Sequence, residues 1–429
     1  MDIKRVLAVG FIGVAIIVNG CGQKSVPVES NSLYMEEIQP DTKEVKYVTH
    51  IDIGQTGLEL DYLNKNIMVS PDGKLGVLVA SKVPKSKLPK GQHVDYESHL
   101  VLVDLMKGEV SSLDNGQYIT PIEWSSEGDK ILYRKDDNLY IIEIADKTTY
   151  IIASRAYCGS ISPDGTRVAF VQREKGMFIS GTNGLNLKKL SGEPGDWYPV
   201  WYPDGRSLFY FADRQVELGD GAGRMQGLGR IDVETGDKNI LIPDEKGKYR
   251  SAEWIISGKT LLVDKGWDDL FSKLIVDVEN GKVYQLGELT GVNMYAAAVD
   301  RTRGMVYKAL GSKITGFDAN GRETVAFSIG QPRENKFPQE TGVAVSPDGR
   351  RLVYMTREST GDGMDGGSRV WMVNADGSNS VELTRDFRGY FTPVWTPDAE
   401  HIITLEGSKG TDADRSFTVK ILNADADLQ

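Results

Sequence analysis

Histidines and nearby carboxylates are the residues of this 429-residue chain whose types best suit metal chemistry. His93 and His99 flank Asp95 and Glu97, so nitrogen and oxygen ligands for zinc or a similar ion come close together in sequence. The other two histidines lie far from this segment. A solvated loop is the simpler explanation of the pattern, and we therefore predict no bound metal.

A second candidate cation site is the glycine-rich segment 360–367, which contains Asp362 and Asp365. Aspartates between glycines are similar to calcium loops, but the oxygen spacing and the terminal glutamate of an EF-hand are absent. The sequence leaves open whether a calcium ion binds this loop.

Nucleophilic hydrolysis on an α/β-hydrolase sheet would need a serine in a G-x-S-x-G turn. The nearest string, GSKG at 407–410, has the wrong spacing. The glycine-rich segment 219–223 lacks the Lys-Ser/Thr pair of a phosphate-binding loop. We predict no cofactor and no catalytic residue, which favours a protein that is not an enzyme.

The composition indicates a folded globular chain, with 40% hydrophobic and 26% charged residues. Its net charge is −11, whereas binding to nucleic acid needs a dense basic surface. Nucleic acid is therefore not an expected partner.

The N-terminus has the pattern of a secretory signal: Lys4 and Arg5 precede an apolar run, 6–18, that is too short to span a bilayer. The run ends in VNGC, which resembles the lipobox of bacterial lipoproteins. This resemblance implies cleavage before Cys21 and attachment of lipid to its thiol. An ordinary signal peptide with a chance cysteine is the alternative.

Three regions follow from this interpretation: a signal peptide (1–20), a flexible tether (21–43) and a folded body (44–429). The protein is expected to be extracytoplasmic and anchored to the bacterial membrane through lipid on Cys21. Only Cys158 remains besides Cys21, so the mature chain could form no intramolecular disulfide.

An internal repeat dominates the folded body, and its strong copies have a Ser-Pro-Asp-Gly type of turn between two apolar strands. Proline presets φ for such a turn, and glycine accepts a positive φ. The copies, four strong and four weak, begin at residues 70, 125, 162, 202, 255, 300, 346 and 396. Each interval suits one four-stranded blade, so we predict an all-β fold, a single β-propeller of eight blades. Seven blades is the alternative, if one weak copy is an insertion.

The two ends of the repeat region predict how the ring closes. The last repeat lacks a fourth strand, while residues 45–53 read as a strand without a blade of its own. Docking of this N-terminal strand onto the last blade would remove an exposed sheet edge.

The repeat resembles the TolB-type repeat, also called PD40 and related to WD40, in the WTPDA string at 395–399 and the DG…LT pattern at 376–384. Propellers of this family serve as periplasmic scaffolds, as gating domains of peptidases and as parts of surface lipoproteins. The resemblance therefore implies the fold more strongly than a function. TolB itself carries an N-terminal α/β domain, which the residues before Val45 are too few to build.

Aromatic residues recur a few positions before each turn, where the links between blades should reach the channel mouth. We predict a ligand-binding rim formed by Tyr118, Tyr157, Trp197, Tyr198, Tyr249, Tyr295, Tyr390 and Phe391. Tyr62 and Phe337 occupy the corresponding positions of the other two repeats. Packing between neighbouring blades is the competing explanation.

The favoured function is a monomeric, membrane-anchored binding or scaffolding module for a protein or a cell-envelope polymer. The alternative is an envelope hydrolase or lyase that acts on glycans through carboxylates at the channel rim. Asp196, Glu340 and Asp386 lie near the predicted links between blades, although no spacing singles them out.

Overall fold

The computed structural model describes residues 47–60, 67–82, 97–218, 221–246, 248–267, 270–286, 297–310, 313–329, 342–357, 368–387, 392–407 and 417–424. Their regular structure is β-strand, apart from one 3-10 helix at Ile53–Thr56. In these ranges, no helix is long and apolar enough to cross a membrane. The predicted signal peptide, Cys21 and the tether lie outside the described residues.

The strands form eight antiparallel sheets, which we number as blades in chain order. Blade 1 contains β2 (Glu59–Leu60), β3 (Met68–Val69), β4 (Leu75–Lys82), β5 (Glu97–Asp104) and β6 (Val110–Gly116). Blade 2 contains β7 (Ile119–Trp124), β8 (Lys130–Lys135), β9 (Asn138–Glu143) and β10 (Thr149–Ser154). Blade 3 contains β11 (Ala156–Ile161), β12 (Arg167–Gln172), β13 (Gly176–Gly181) and β14 (Lys188–Ser191). Blade 4 contains β15 (Asp196–Trp201), β16 (Ser207–Leu218), β17 (Gly221–Asp232) and β18 (Lys238–Lys246).

The second half of the chain repeats this order. Blade 5 contains β19 (Lys248–Ile256), β20 (Thr260–Trp267), β21 (Leu270–Asp277) and β22 (Val283–Gln285). Blade 6 contains β23 (Ala297–Asp300), β24 (Met305–Leu310), β25 (Lys313–Asp318) and β26 (Glu323–Ser328). Blade 7 contains β27 (Val343–Val345), β28 (Arg351–Arg357), β29 (Ser368–Asn374) and β30 (Val381–Phe387). Blade 8 contains β31 (Val394–Trp395), β32 (His401–Gly407) and β33 (Phe417–Asn423).

The fourth strand of blade 8 comes from the N-terminal side of the chain. Strand β1 (Tyr47–Asp52) pairs with β33 and places Ile51 opposite Val419. The predicted closure of the ring by the N-terminal strand is thus confirmed.

The turn that follows the first strand of a blade is built by its own side chains. In blade 3, Ser162 Oγ donates to Asp164 Oδ1 and accepts from the backbone N–H of Arg167 at 2.9 Å. Asp164 also accepts from the N–H of Thr166 at 3.1 Å, and Gly165 adopts a φ of 69°. The same serine or threonine pattern begins at Ser70, Ser346 and Thr396. These hydrogen bonds hold the turn that joins the first strand of the blade to the second.

The apolar core is divided into eight clusters, and each combines side chains of two neighbouring blades. Blades 1 and 2 share the first cluster, in which Val79 and Ile131 are fully buried. The last one joins Ile403 of blade 8 and Ile51 of β1 to Leu78 of blade 1. The series therefore returns to its start as a closed ring of eight blades, and the seven-blade alternative is wrong.

The two ends of the ring differ in the connections that they carry. We call the end with the first turns of the blades the turn face, and the end with the links between blades the loop face. Strand β1 runs antiparallel to the third strand of blade 8, so Tyr47 lies towards the turn face. The first strands of neighbouring blades contact one another around the channel, as β11 does with β15 and β23 with β27.

Candidate functional site

The first strands of blades 2 to 5 carry irregularities that change where their side chains point. The register with the second strand shifts in β7, β11, β15 and β19. Such bulges bend a strand and re-aim its side chains, and they are common beside functional sites. The predicted aromatic residues Tyr157, Trp197, Tyr198 and Tyr249 lie on three of these strands.

The bulge of β15 places Tyr198 in an unusual conformation, with a φ of 57°. A bulky residue in this left-handed region is rare and is held by its surroundings. The Tyr198 ring stacks on Phe211, with 5.2 Å between centroids, while Trp197 lies 5.3 Å from the same ring. Burial raises the pKa of the Tyr198 hydroxyl to about 12, against the opposing effect of a hydrogen bond from the backbone of Ala252 in blade 5.

Tyr249 belongs to the same aromatic group. Its ring is 1% exposed and stacks on Phe211 at 5.4 Å. The structure thus places Tyr249 inside the interface of blades 4 and 5, where it contributes to packing rather than to an open rim.

The remaining described rim residues are more accessible. Tyr118 is 48% exposed, and Tyr157 and Trp197 are partly buried. Tyr157 and Trp197 pack against one cluster between blades 3 and 4. Within the described part of the chain, Trp197 Nε1 is shielded from solvent and has no hydrogen-bond acceptor. Tyr62, Tyr295, Phe337, Tyr390 and Phe391 lie outside the described residues.

Cys158 lies on β11 close to this aromatic group. Burial raises the pKa of its thiol to about 12, although nearby backbone N–H groups and Arg134 oppose this shift. The thiol is therefore protonated at neutral pH and a poor nucleophile.

At the other end of the channel lies a cavity of about 790 Å³ that sequence reasoning did not identify. Its walls include Met68, Ile122, Trp124, Val394 and Trp395, and prolines of three turns border it. Its charged lining residues are Glu123, Glu253 and Arg301. Volumes of this size are typical of ligand-binding sites.

The two glutamates occupy one repeat position, two residues before the start of the turn. Other blades have Met68, Ser160, Val200, Ala298, Ala344 and Val394 at this position. The other blades have an apolar or small residue at this position. The two glutamates were therefore the signal in the sequence that could have indicated a site at this end of the channel.

Glu123 and Glu253 have different partners. Glu123 Oε2 accepts from the backbone N–H of Ile161 at 3.0 Å, and the Ser160 hydroxyl also contacts this carboxyl group. Burial raises the pKa of Glu123 to about 7. Burial also raises the pKa of Glu253, but Arg301 opposes this shift through an ion pair of 3.0 Å.

The carboxylates predicted at the channel rim have other roles or lie outside the described residues. Asp196 is fully buried and pairs with Arg214 at 2.8 Å and with Lys238 at 2.5 Å. Ser191 of blade 3 also donates to Asp196, so this buried group links blades 3 and 4, and the Asp196 carboxylate is not accessible for chemistry. Glu340 lies outside the described residues, as does the side chain of Asp386.

The two candidate cation sites fall largely outside the described residues, which include neither His93 nor the loop 360–367. A different group lies on the turn of blade 8, where Asp398, Glu400 and His401 offer ligand atoms within 4.8 Å of one another. Asp398 Oδ1 already accepts hydrogen bonds from Thr396 Oγ1 and from the N–H of Glu400. Both carboxylates are exposed, and this group has the properties of a solvated turn.

Comparison with known proteins agrees with this architecture. A family model described as the dipeptidyl peptidase IV (DPP IV) N-terminal region matches residues 77–162. The crystal structure of Porphyromonas gingivalis dipeptidyl peptidase 4 is similar over 86% of this chain and 59% of that chain, with 13% identity and a TM-score of 0.55. The chain is a β-propeller in its fold.

Two further propellers match over nearly their whole length. The Dos1 propeller has 12% identity and a TM-score of 0.55, with 88% of this chain and 95% of that chain covered. The C-terminal WD40 domain of Sif2 has 11% identity and a TM-score of 0.51, with 89% and 99% covered. No curated protein sequence matches the chain. At these identities the propeller fold is what the relatives share with this chain.

Proposed function

We propose that this propeller is a binding or scaffolding module of the bacterial cell envelope, held to the membrane by lipid on Cys21. In this proposal it acts as a monomer and recognises a protein segment or a cell-wall polymer at the loop-face mouth of the channel.

The observation that carries the proposal is the indole N–H of Trp197, to which the described residues offer no acceptor, among the aromatic side chains of this mouth. A shielded donor without an acceptor costs about 1–3 kcal/mol, and a ligand oxygen that reaches it after a small shift of the neighbouring rings would remove this cost. Tyr118, Tyr157 and Trp197 lie near the loop-face ends of the first strands of three successive blades. Aromatic rings on a rigid scaffold provide a large contact area at a low entropy cost.

Tyr47, the first described residue, lies towards the turn face, at the end of the ring opposite to the aromatic mouth.

A binding experiment with two aromatic variants tests the proposal. Peptidoglycan fragments, oligosaccharides and peptides are titrated into the full-length protein in detergent, and affinities are measured by calorimetry. Trp197→Phe keeps a ring but removes the N–H, and Tyr118→Ala removes an exposed ring; each should weaken binding by roughly threefold to tenfold.

Trp201→Phe is the matched control, because Trp201 Nε1 already donates to Ser160 O at 2.9 Å. This variant should lose stability and keep its affinity. Equal affinities of wild type, Trp197→Phe and Tyr118→Ala for every ligand that binds would contradict the proposed site.

The alternative, a glycan hydrolase or lyase, is favoured by one observation: Glu123 has a pKa near neutrality in a cavity that it shares with Glu253. A general acid needs such a raised pKa. Turnover of oligosaccharides that is abolished by Glu123→Gln would support this activity. Absence of turnover by folded wild-type protein across neutral and acidic oligosaccharides would exclude it.

A further inference from the structure

The charged residues that line the cavity at the turn face are not balanced. Its lining contains two carboxylates and one guanidinium group, and Arg301 pairs with Glu253 at 3.0 Å. No described cation forms an ion pair with Glu123, whose observed partners are the backbone N–H of Ile161 and the hydroxyl of Ser160. One carboxyl group of the cavity is thus without a counter-charge.

The surroundings of Glu123 are apolar. Met68 and Val394 occupy the same repeat position as Glu123 in blades 1 and 8, and therefore lie at a similar level of the channel. Ile122 and the ring of Trp124 are the neighbours of Glu123 in its own strand and also line the cavity. A carboxylate among apolar walls suits a ligand with a long apolar stem and a cationic end.

We propose that this turn-face cavity binds a polypeptide segment through a lysine or arginine side chain, whose cationic group pairs with the Glu123 carboxylate. The methylene stem packs against Met68, Ile122 and Val394, as long basic side chains do when only their charged end needs a polar partner. The cavity volume of about 790 Å³ accommodates the neighbouring residues of the segment as well.

The charge complementarity specifies the ligand. A neutral or acidic side chain in the cavity would offer the Glu123 carboxylate no counter-charge, and burial would then favour the protonated form of this group. A guanidinium or ammonium group instead forms a charge-assisted hydrogen bond to the free lone pairs of the carboxylate. This site is separate from the loop-face mouth and goes beyond the function proposed there.

Calorimetric titration with a matched pair of peptides tests this proposal on the full-length protein in detergent. The first peptide is acetyl-Ala-Leu-Lys-Leu-Ala-amide, and the second carries norleucine in place of lysine. The lysine peptide should bind about tenfold more tightly than the norleucine peptide, and this advantage should disappear in Glu123→Gln. The side-chain amide of that variant retains an oxygen acceptor for the N–H of Ile161.

Two further variants separate this outcome from loss of folding. Arg301→Gln frees Glu253 and should strengthen binding of the lysine peptide a few-fold, because it makes the cavity more negative. Glu174→Gln, which changes an exposed carboxylate outside both proposed sites, should leave peptide affinity unchanged. Equal affinity for the two peptides, no binding of the lysine peptide to folded protein, or full binding by folded Glu123→Gln would each overturn the proposal.

Discussion

The indole Nε1 of Trp254 donates a hydrogen bond of 3.0 Å to the backbone carbonyl oxygen of Trp201, which lies at the same strand end one blade earlier. Equivalent bonds join other pairs of neighbouring blades. They run from Trp124 to Met68, from Trp201 to Ser160 and from Trp395 to Ala344. The tryptophan before the turn therefore fixes the distance between the first strands of successive blades.

Replacement of Trp254 by Phe should cost stability through loss of this bond. Trp197→Phe is the comparison, because both indoles are partly buried but only the Trp254 N–H has an acceptor among the described residues. We expect the free energy of unfolding to fall by about 1 kcal/mol more in Trp254→Phe than in Trp197→Phe. Denaturant titration measures both, and equal losses would show that the bond adds nothing.

Stability should depend on pH through Glu123. Its folded-state pKa of about 7 lies above the ordinary value of 4.5, so between these values the folded state binds more protons than the unfolded state. The contribution of Glu123 to the free energy of unfolding is complete below about pH 4.5. It decreases as the pH rises to 7, by up to about 3 kcal/mol. Glu123→Gln should lack this decline and be more stable than wild type at pH 8. The measurement is urea unfolding of both proteins from pH 4.5 to 8. An equal pH dependence of the two unfolding free energies would contradict this expectation.

Loss of the buried carboxylate of Asp196 should be strongly destabilising. Asp196→Ala leaves Arg214 and Lys238 without their shared counter-charge, and breaking such a network costs about 3–5 kcal/mol. Glu174→Ala serves as the control, because this glutamate is 77% exposed and 4.0 Å from Arg155. Its effect on the unfolding free energy should stay within about 0.5 kcal/mol. Similar losses in both variants would argue against a structural role for Asp196.

The turn of blade 3 allows a test of backbone strain without steric conflict. Gly165 has a φ of 69°, and a Cβ atom at this position would meet nothing within 4 Å. Gly165→Ala should therefore lower stability by about 1 kcal/mol through the left-handed backbone alone. Asn adopts this conformation more readily, so Gly165→Asn should cost less in thermal unfolding. An alanine variant as stable as wild type would show that the turn relaxes.

The sequence predicted the ring because the turn signal is local. Even the weak copies that start at 255 and 300 form their turns, where Gly258 and Gly304 have φ values of 73° and 67°. Proline, aspartate and glycine act on the few residues around them, so their effect can be read without knowledge of the fold. The unpaired strand before the first turn likewise indicated how the ring closes.

The site was less predictable because it depends on contacts between blades. A tyrosine before the turn can face the channel or the next blade, and the burial of Tyr249 follows from Phe211 in a neighbouring sheet. Asp196 likewise accepts a hydrogen bond from Ser191 of blade 3, in addition to its ion pairs with Arg214 and Lys238 of its own blade. Register shifts in the first strands decide these orientations, and hydrophobic periodicity carries no signal for them.

Among the described residues, each apolar cluster is shared by two adjacent sheets, and none lies within a single blade. Excision of any one blade would abolish two clusters together and expose the facing surfaces of its neighbours. New termini placed in any link between blades would instead sever one connection and preserve every cluster. Folding of this protein thus depends on which sheets are neighbours in the ring, and not on where the chain begins. Circular permutants should therefore fold, whereas variants that lack a blade should not.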